Sequence, residues 1–230
     1  MFSYFGSKSK LVNYYPEPKY PRIIEPFAGS ARYALAYADR QVTLIERDPI
    51  IYGIWKYLIE DCEEEHLDRW PELRVGDDLR NVRGLSTMEM NLLGFAVARG
   101  SPLGNYTVSS RADESTWKGS NTEIQRLKNR IRKNLERIRH WRVILASYNR
   151  VHIDVEATWF VDPPYQRTGH RYRVSKIDYR RLARWCRERQ GQVIVCEAQG
   201  ARWLPFRRLD AGGIKGSHNQ CQEAIWTKGC

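Results

Sequence analysis

Paired cysteines, clustered histidines and long apolar runs are all missing from this chain. Its five cysteines, Cys62, Cys186, Cys196, Cys221 and Cys230, are scattered with no C-x-x-C spacing. That excludes the usual structural zinc motif and predicts free thiols. The five histidines, His66, His140, His152, His170 and His218, form no close metal-ligand spacing, so no metal is expected. No apolar run approaches the roughly 20 residues that span a bilayer, and the segment around Lys8 and Lys10 lacks the apolar stretch of a signal peptide. The expectation is a cytoplasmic protein with no membrane partner. Acids are the scarcer charge: 27 Asp and Glu against 38 Lys and Arg leave a formal charge of +11, which favours a polyanionic partner. With 230 residues, 42% of them hydrophobic, the chain can bury the core of one domain with a small insertion.

The residues that are present point to an open α/β sheet. The apolar run Ala157 to Val161 reads as a buried strand ending in Asp162-Pro163-Pro164-Tyr165. Such sheets place their chemistry at the carboxyl ends of strands. The prolines donate no hydrogen bond, so the turn offers a carboxylate, carbonyl acceptors and an aromatic ring. That set suits a planar group bearing an amino function. Arg22 to Glu25 reads as another strand, followed by the turn Pro26-Phe27-Ala28-Gly29-Ser30 and a helix over 31–38. A glycine turn opening a helix lets a ligand approach the backbone. The strand Gln41 to Ile45 ends in Glu46, where an acid grips ribose hydroxyls in nucleotide sites. The fingerprint is not G-x-G-x-x-G, so a dinucleotide is not implied. Asp48 is either a further contact or the cap of the helix that follows at Pro49.

Together, Asp162-Pro163-Pro164-Tyr165, Pro26 to Ser30, and Tyr4-Phe5-Gly6-Ser7-Lys8 resemble, in content and order, the motifs of the Dam-like, alpha-group adenine-N6 DNA methyltransferases. The resemblance spans most of the chain and is weaker between the motifs. It implies a Rossmann-like S-adenosylmethionine-dependent methyltransferase fold, in a prokaryotic or phage enzyme, with a small helical DNA-recognition insertion. The core is expected over 1–84 and 141–230, and the insertion over 85–140.

The same resemblance implies S-adenosylmethionine as cofactor, duplex DNA as partner, and methyl transfer to adenine N6 after base flipping. Asp162, Pro163, Pro164 and Tyr165 are then the catalytic set. The cofactor set is Tyr4, Gly6, Lys8, Pro26, Phe27, Ala28, Gly29, Ser30, Glu46, Asp48, Tyr148 and Asp162, with Lys8 approaching the methionine carboxylate. Many relatives carry an aspartate where this chain has Ser147, which leaves Tyr148 to pack on the adenine. No Pro-Cys dipeptide occurs, which removes the nucleophile of a cytosine-C5 enzyme. Alternatives are cytosine-N4 or RNA adenine-N6 methylation, or a DNA-binding protein that keeps the fold without the chemistry.

For DNA, the segment 104–108 resembles a family hairpin, and Arg99, Asn105, Tyr106, Ser109 and Arg111 are the candidate contacts. Ile124, Leu127, Ile131, Leu135 and Ile138 predict an amphipathic helix opened by a capping box at Ser120 and Glu123. Arg126, Arg130, Lys133 and Arg137 step along another face. Only Glu136 interrupts the cations between Arg126 and Arg142, which favours phosphate contacts. Further along, 166–175 reads as a loop that closes over substrate. Asp178 to Glu188 reads as a helix and Gln192 to Glu197 as a buried strand with Glu197 structural. Trp203 to Phe206 and Glu223 to Trp226 read as antiparallel strands.

Overall fold

A computed structural model describes residues 1–2, 4, 6–97, 105–108, 120–167, 169, 172–211 and 222–230, with the backbone alone at 120. Strands β1 (Arg22–Glu25), β2 (Gln41–Glu46), β3 (Arg142–Leu145), β4 (Ala157–Val161), β5 (Gly191–Ala198), β6 (Arg207–Arg208) and β7 (Glu223–Lys228) form one sheet, ordered β3-β2-β1-β4-β5-β7-β6. Strands β1 to β5 pair in parallel, and β7 runs antiparallel to β5 and β6. This is an α/β protein compatible with a Rossmann-like fold. Where a dinucleotide-binding sheet continues into a second parallel half, this one ends in an antiparallel pair.

Alternation along the strands divides the core into two faces, as a period of two requires. Ile23, Phe160, Ile194 and Cys196 belong to one buried cluster; Ile24, Trp159, Val161, Val193 and Val195 belong to the other. The first face is covered by α1 (Arg32–Ala36), α2 (Pro49–Lys56), α3 (Glu64–Asp68), α4 (Thr87–Val97) and α5 (Ser120–Ile138). The second packs against α6 (Tyr179–Glu188) through Leu182, Ala183, Trp185 and Cys186. Residues 85–140 contribute Leu92, Leu93, Ile124, Leu127, Ile131, Leu135 and Ile138 to the same cluster as the strands.

Several elements differ from the sequence reading. Helix α1 has five residues rather than the eight of 31–38, because Tyr37 leaves helical geometry (φ −122°, ψ 43°). Helix α2 runs into a π-helical turn, Tyr57–Asp61, and the charged stretch 61–86, which carries no clear periodicity, contains α3 and a 3₁₀ turn, Leu79–Asn81. The strand expected over Trp203 to Phe206 lies instead at Arg207–Arg208. There Arg207 and Arg208 pair with Ile225 and Ala224. The start of α4 is a capping box: Ser86 N donates to Glu89 Oε2 at 2.8 Å, and Glu89 N donates to Ser86 Oγ at 3.3 Å. The four described cysteines are free. Among the described residues no helix is long and apolar enough to cross a membrane, and no group of three or more His, Cys, Asp or Glu could hold a metal ion.

Gly191 opens β5 at φ +89°, and a Cβ there would collide with the backbone of Ala157. Gly191→Ala is expected to destabilise the protein by more than about 2 kcal/mol, read as a lower midpoint in urea unfolding. An unchanged midpoint would show that β4 and β5 are not held in this register.

Candidate active site

Sheet order reverses between β1 and β4, and the turns after these two strands lie side by side, as the pairing of Ile23 with Thr158 and Ile24 with Trp159 requires. This is the crevice where an open α/β sheet binds ligands. It holds a cavity of about 200 Å³ lined by Lys8, Phe27, Gly29, Glu46, Tyr148 and Asp162, among others.

The loop after β1 is shaped by left-handed backbone at Gly29 (φ +47°) and Ala31 (φ +44°). A Cβ on Gly29 would press on the ring of Tyr4, 3.2 Å away. Ala31 has no side chain to cap α1. Glu25 does so instead, its Oε1 accepting from Ala34 N at 2.6 Å. The Glu25 carboxyl is buried, and burial raises its pKa to about 8; the Ala34 N–H opposes the shift and Asp162 adds to it.

Glu46, at the end of β2, accepts from Gly29 N at 3.1 Å, Arg47 N at 2.7 Å and Asp48 N at 2.8 Å. Burial raises its pKa against these three donors. A carboxylate has about four acceptor sites, so it retains capacity for a ligand hydroxyl. Asp48 caps α2, its Oδ1 accepting from Ile50 N at 2.9 Å, while its Oδ2 pairs with Arg173 at 3.2 Å. Asp48 is therefore a helix cap, and it also lines the cavity. Phe27 and Tyr148 pack with ring centroids 5.3 Å apart and form an apolar wall with Ile177. Tyr33 stacks on Phe160 at 4.2 Å, and both line the cavity too. Tyr4, Gly6, Lys8, Pro26, Phe27, Ala28, Gly29, Ser30, Glu46, Asp48, Tyr148 and Asp162 all line the one cavity.

Lys8 is buried, and its ammonium meets a protein carboxylate: Nζ lies 2.8 Å from Asp162 Oδ1 and 3.9 Å from Glu223 Oε1. Burial alone would lower its pKa, but Asp162 and Glu223 outweigh that and raise it. At 2.8 Å the ammonium is in direct ionic contact with Asp162 Oδ1. Burial raises the pKa of Asp162 and Lys8 lowers it, with burial the larger effect. Of the D-P-P-Y residues, Asp162 and Pro164 line the cavity, whereas Pro163 and Tyr165 do not. The Tyr165 hydroxyl donates to Glu223 Oε1, and one ring face carries the Lys8 ammonium 4.6 Å from its centroid. Tyr15 donates to the same Glu223 oxygen at 2.9 Å.

Sequence reasoning missed Glu25 and Glu223. The first had a signal, because the strand-end rule applied to Glu46 and Asp162 applies equally to the residue closing β1. Glu223 had none, since only the placement of β7 beside β5 brings it to Lys8. From the expected loop at 166–175, Tyr172 reaches the cavity, and a Cβ on Gly6 would run into its hydroxyl. Glu197 accepts from Trp203 Nε1 at 3.0 Å, Ala198 N at 2.9 Å and Gln166 N at 3.3 Å, a brace away from the cavity.

The candidate DNA contacts are dispersed, and Arg99, Ser109 and Arg111 lie outside the described residues. Asn105 Oδ1 accepts from Thr107 N at 3.2 Å, and the Tyr106 hydroxyl donates to Asn91 Oδ1 at 2.5 Å. On α5, Arg126 is engaged by Glu123 and Arg130 by Met1 O at 2.9 Å. Arg137 donates to Asn134 Oδ1 at 3.1 Å and lies 3.6 Å from Asp39; Lys133 is exposed. The neighbouring Arg132 and Arg139 meet Asp68 and Glu63. Acids distant in sequence therefore relieve much of this basic run, a relief the spacing of α5 alone could not show.

No family model matches the chain, and no curated protein matches it. Among solved structures it is similar to a conserved hypothetical protein from Streptococcus pyogenes, at 9% identity and a TM-score of 0.38, over 90% of this chain and 83% of that one.

The raised pKa of Glu25 makes stability depend on pH. The folded state holds a proton between about 4.5 and 8 that the unfolded state releases, so this contribution is present below pH 4.5 and lost as pH rises through 8. Glu25→Gln is expected to flatten the fall in urea midpoint across this window relative to the wild type. Parallel midpoint curves for the two proteins would place an ionised carboxylate at Glu25 throughout.

Proposed function

We propose that this protein transfers a methyl group from S-adenosylmethionine to the N6 amino group of adenine in duplex DNA. The observation that carries this reading is Asp162, a carboxylate just after β4 in a cavity that also holds the Gly29 turn and Glu46. Beside its contact with Lys8 the carboxylate keeps acceptor sites for an amino group. Beside the cavity the buried Lys8 ammonium faces Asp162 and the buried Glu223.

The residues suit the cofactor by position. Phe27, Tyr148 and Ile177 offer apolar surface for a purine, Glu46 an acceptor for ribose hydroxyls, and the Gly29 turn a close backbone approach. Bound S-adenosylmethionine supplies a methyl group on a good leaving group, so the protein need not activate it.

The protein's own part is to orient and to desolvate. Asp162, which lines the cavity, accepts an amino hydrogen and fixes the nitrogen there; the Pro163 carbonyl that the resemblance implies as second acceptor lies outside the lining. The Pro164 carbonyl is already taken by the Tyr179 hydroxyl at 2.7 Å. Lys8 stabilises the anionic form of Asp162 against the burial that disfavours it. Tyr165 is held by Glu223 with one face under Lys8, just behind the cavity lining. An adenine inside a duplex must first leave the stack to reach these groups. Rate then comes from alignment and fixed electrostatics.

Asp162→Ala is expected to lower transfer of tritiated methyl from S-adenosylmethionine to DNA by at least about 10²–10³-fold, with DNA affinity nearly unchanged. Nucleoside digestion and chromatography of the wild-type product locate the label. Label in N4-methylcytosine would keep the site and change the base. Undiminished transfer by the variant would remove Asp162 from the chemistry.

A further inference from the structure

Helix α6 carries a second run of cations, and these are not engaged. Arg180, Arg181, Arg184 and Arg187 are all exposed. Among the described residues none of the four has an ion-pair partner, and the adjacent acid, Glu188, pairs with Arg189 at 3.8 Å. Arg189 itself folds back over Trp185, 4.6 Å from the ring centroid. The opposite side of the helix is locked onto the sheet by Leu182, Ala183, Trp185 and Cys186, so the helix cannot rotate its arginines away. A solvated helix face normally mixes charges of both signs. Here like charges stand at i, i+4 and i+7, an arrangement that is mildly destabilising by itself.

The helix is also fixed to the candidate site. Its first residue, Tyr179, donates to Pro164 O in the D-P-P-Y turn at 2.7 Å. Arg181 lines the cavity, together with Lys176 just before the helix. A cationic stripe thus starts at the cavity mouth and leads away from it. From Arg180 to Arg187 it rises about 10 Å at 1.5 Å per residue. One strand of a duplex presents a phosphate every 3.4 Å or so of axis, so the run spans about three phosphate steps, enough for each arginine to meet its own phosphate. Guanidinium groups suit this task because they grip phosphate oxygens in pairs.

We infer that the outer face of α6, through Arg180, Arg184 and Arg187, is a phosphate-contact surface that holds the backbone of a DNA duplex beside the cavity. The inference rests on the reading of the site as one that acts on DNA. It places the backbone contacts on α6, whereas the arginines of α5 expected to make them are largely engaged within the protein.

The test is fluorescence anisotropy of a labelled 20-base-pair duplex across a sodium chloride series. It compares the wild type with Arg180→Gln, Arg184→Gln, Arg187→Gln combined, and with Arg126→Gln, Lys133→Gln on α5. Each phosphate contact contributes about 0.9 to the slope of log affinity against log salt. The α6 variant is expected to lose roughly 2–3 from that slope, the α5 variant much less, and both to retain S-adenosylmethionine binding by calorimetry. Equal losses in the two variants, or none in α6, overturn the inference while the proposed function stands. A wild type that binds cofactor but no duplex overturns both. Loss of binding to phosphatidylserine vesicles in the α6 variant, without loss on DNA, assigns the face to a membrane and overturns the inference too.

Discussion

The site depends on one buried cation. Lys8 lies between Asp162 and Glu223 and against the ring of Tyr165, so a single ammonium joins the N-terminal segment, the turn after β4 and the antiparallel strand β7. Removing such a charge from water costs several kcal/mol, and only close partners offset it. The partners are costly in turn, because burial raises the pKa of both carboxylates. The geometry is therefore mutually enforced. Without Lys8 two anions, Asp162 and the buried Glu223, would face each other, and without either acid the ammonium would lose part of what offsets its own burial.

Around that centre the sheet provides rigidity and the loops provide ligand surface. Glu25, Glu46 and Asp162 close or follow β1, β2 and β4, and each lines the cavity at the same edge of the sheet. Two of them also hold the loops they face. Glu25 caps α1 through Ala34, and Glu46 gathers three backbone N–H groups from the Gly29 and Asp48 turns. The carboxylates that face a ligand thus also fix the local backbone, and this allows a non-glycine residue, Ala31, to remain in left-handed conformation.

Much of this was legible in the sequence where the cause is local. Apolar runs closed by an acid or a glycine turn identify β1, β2, β4 and β5, and the stripe from Ile124 to Ile138 identifies α5. What stayed hidden is decided by tertiary partners. The π-helical turn after α2 and the short α3 belong to a charged stretch with little periodicity, and the edge strand β6 sits where β7 places it, after Phe206. Likewise α5 and α6 both carry arginines opposite an apolar face. Only the fold shows that Arg132 and Arg139 meet Asp68 and Glu63 while Arg180, Arg184 and Arg187 meet no acid among the described residues.

The position of β7 also bears on how the chain is made. Glu223 bonds to Tyr15 across 208 residues of sequence, and β7 must enter between β5 and β6 to bring it there. Contacts this distant are formed late and slowly, since the loop they close costs entropy before any contact repays it. During synthesis a nascent chain can carry the Gly29 turn, Glu46 and the D-P-P-Y residues and still have Lys8 and Asp162 without the carboxylate that completes their cluster. The ligand-binding edge and the charge centre beneath it thus become complete at different moments, the second only when β7 has left the ribosome.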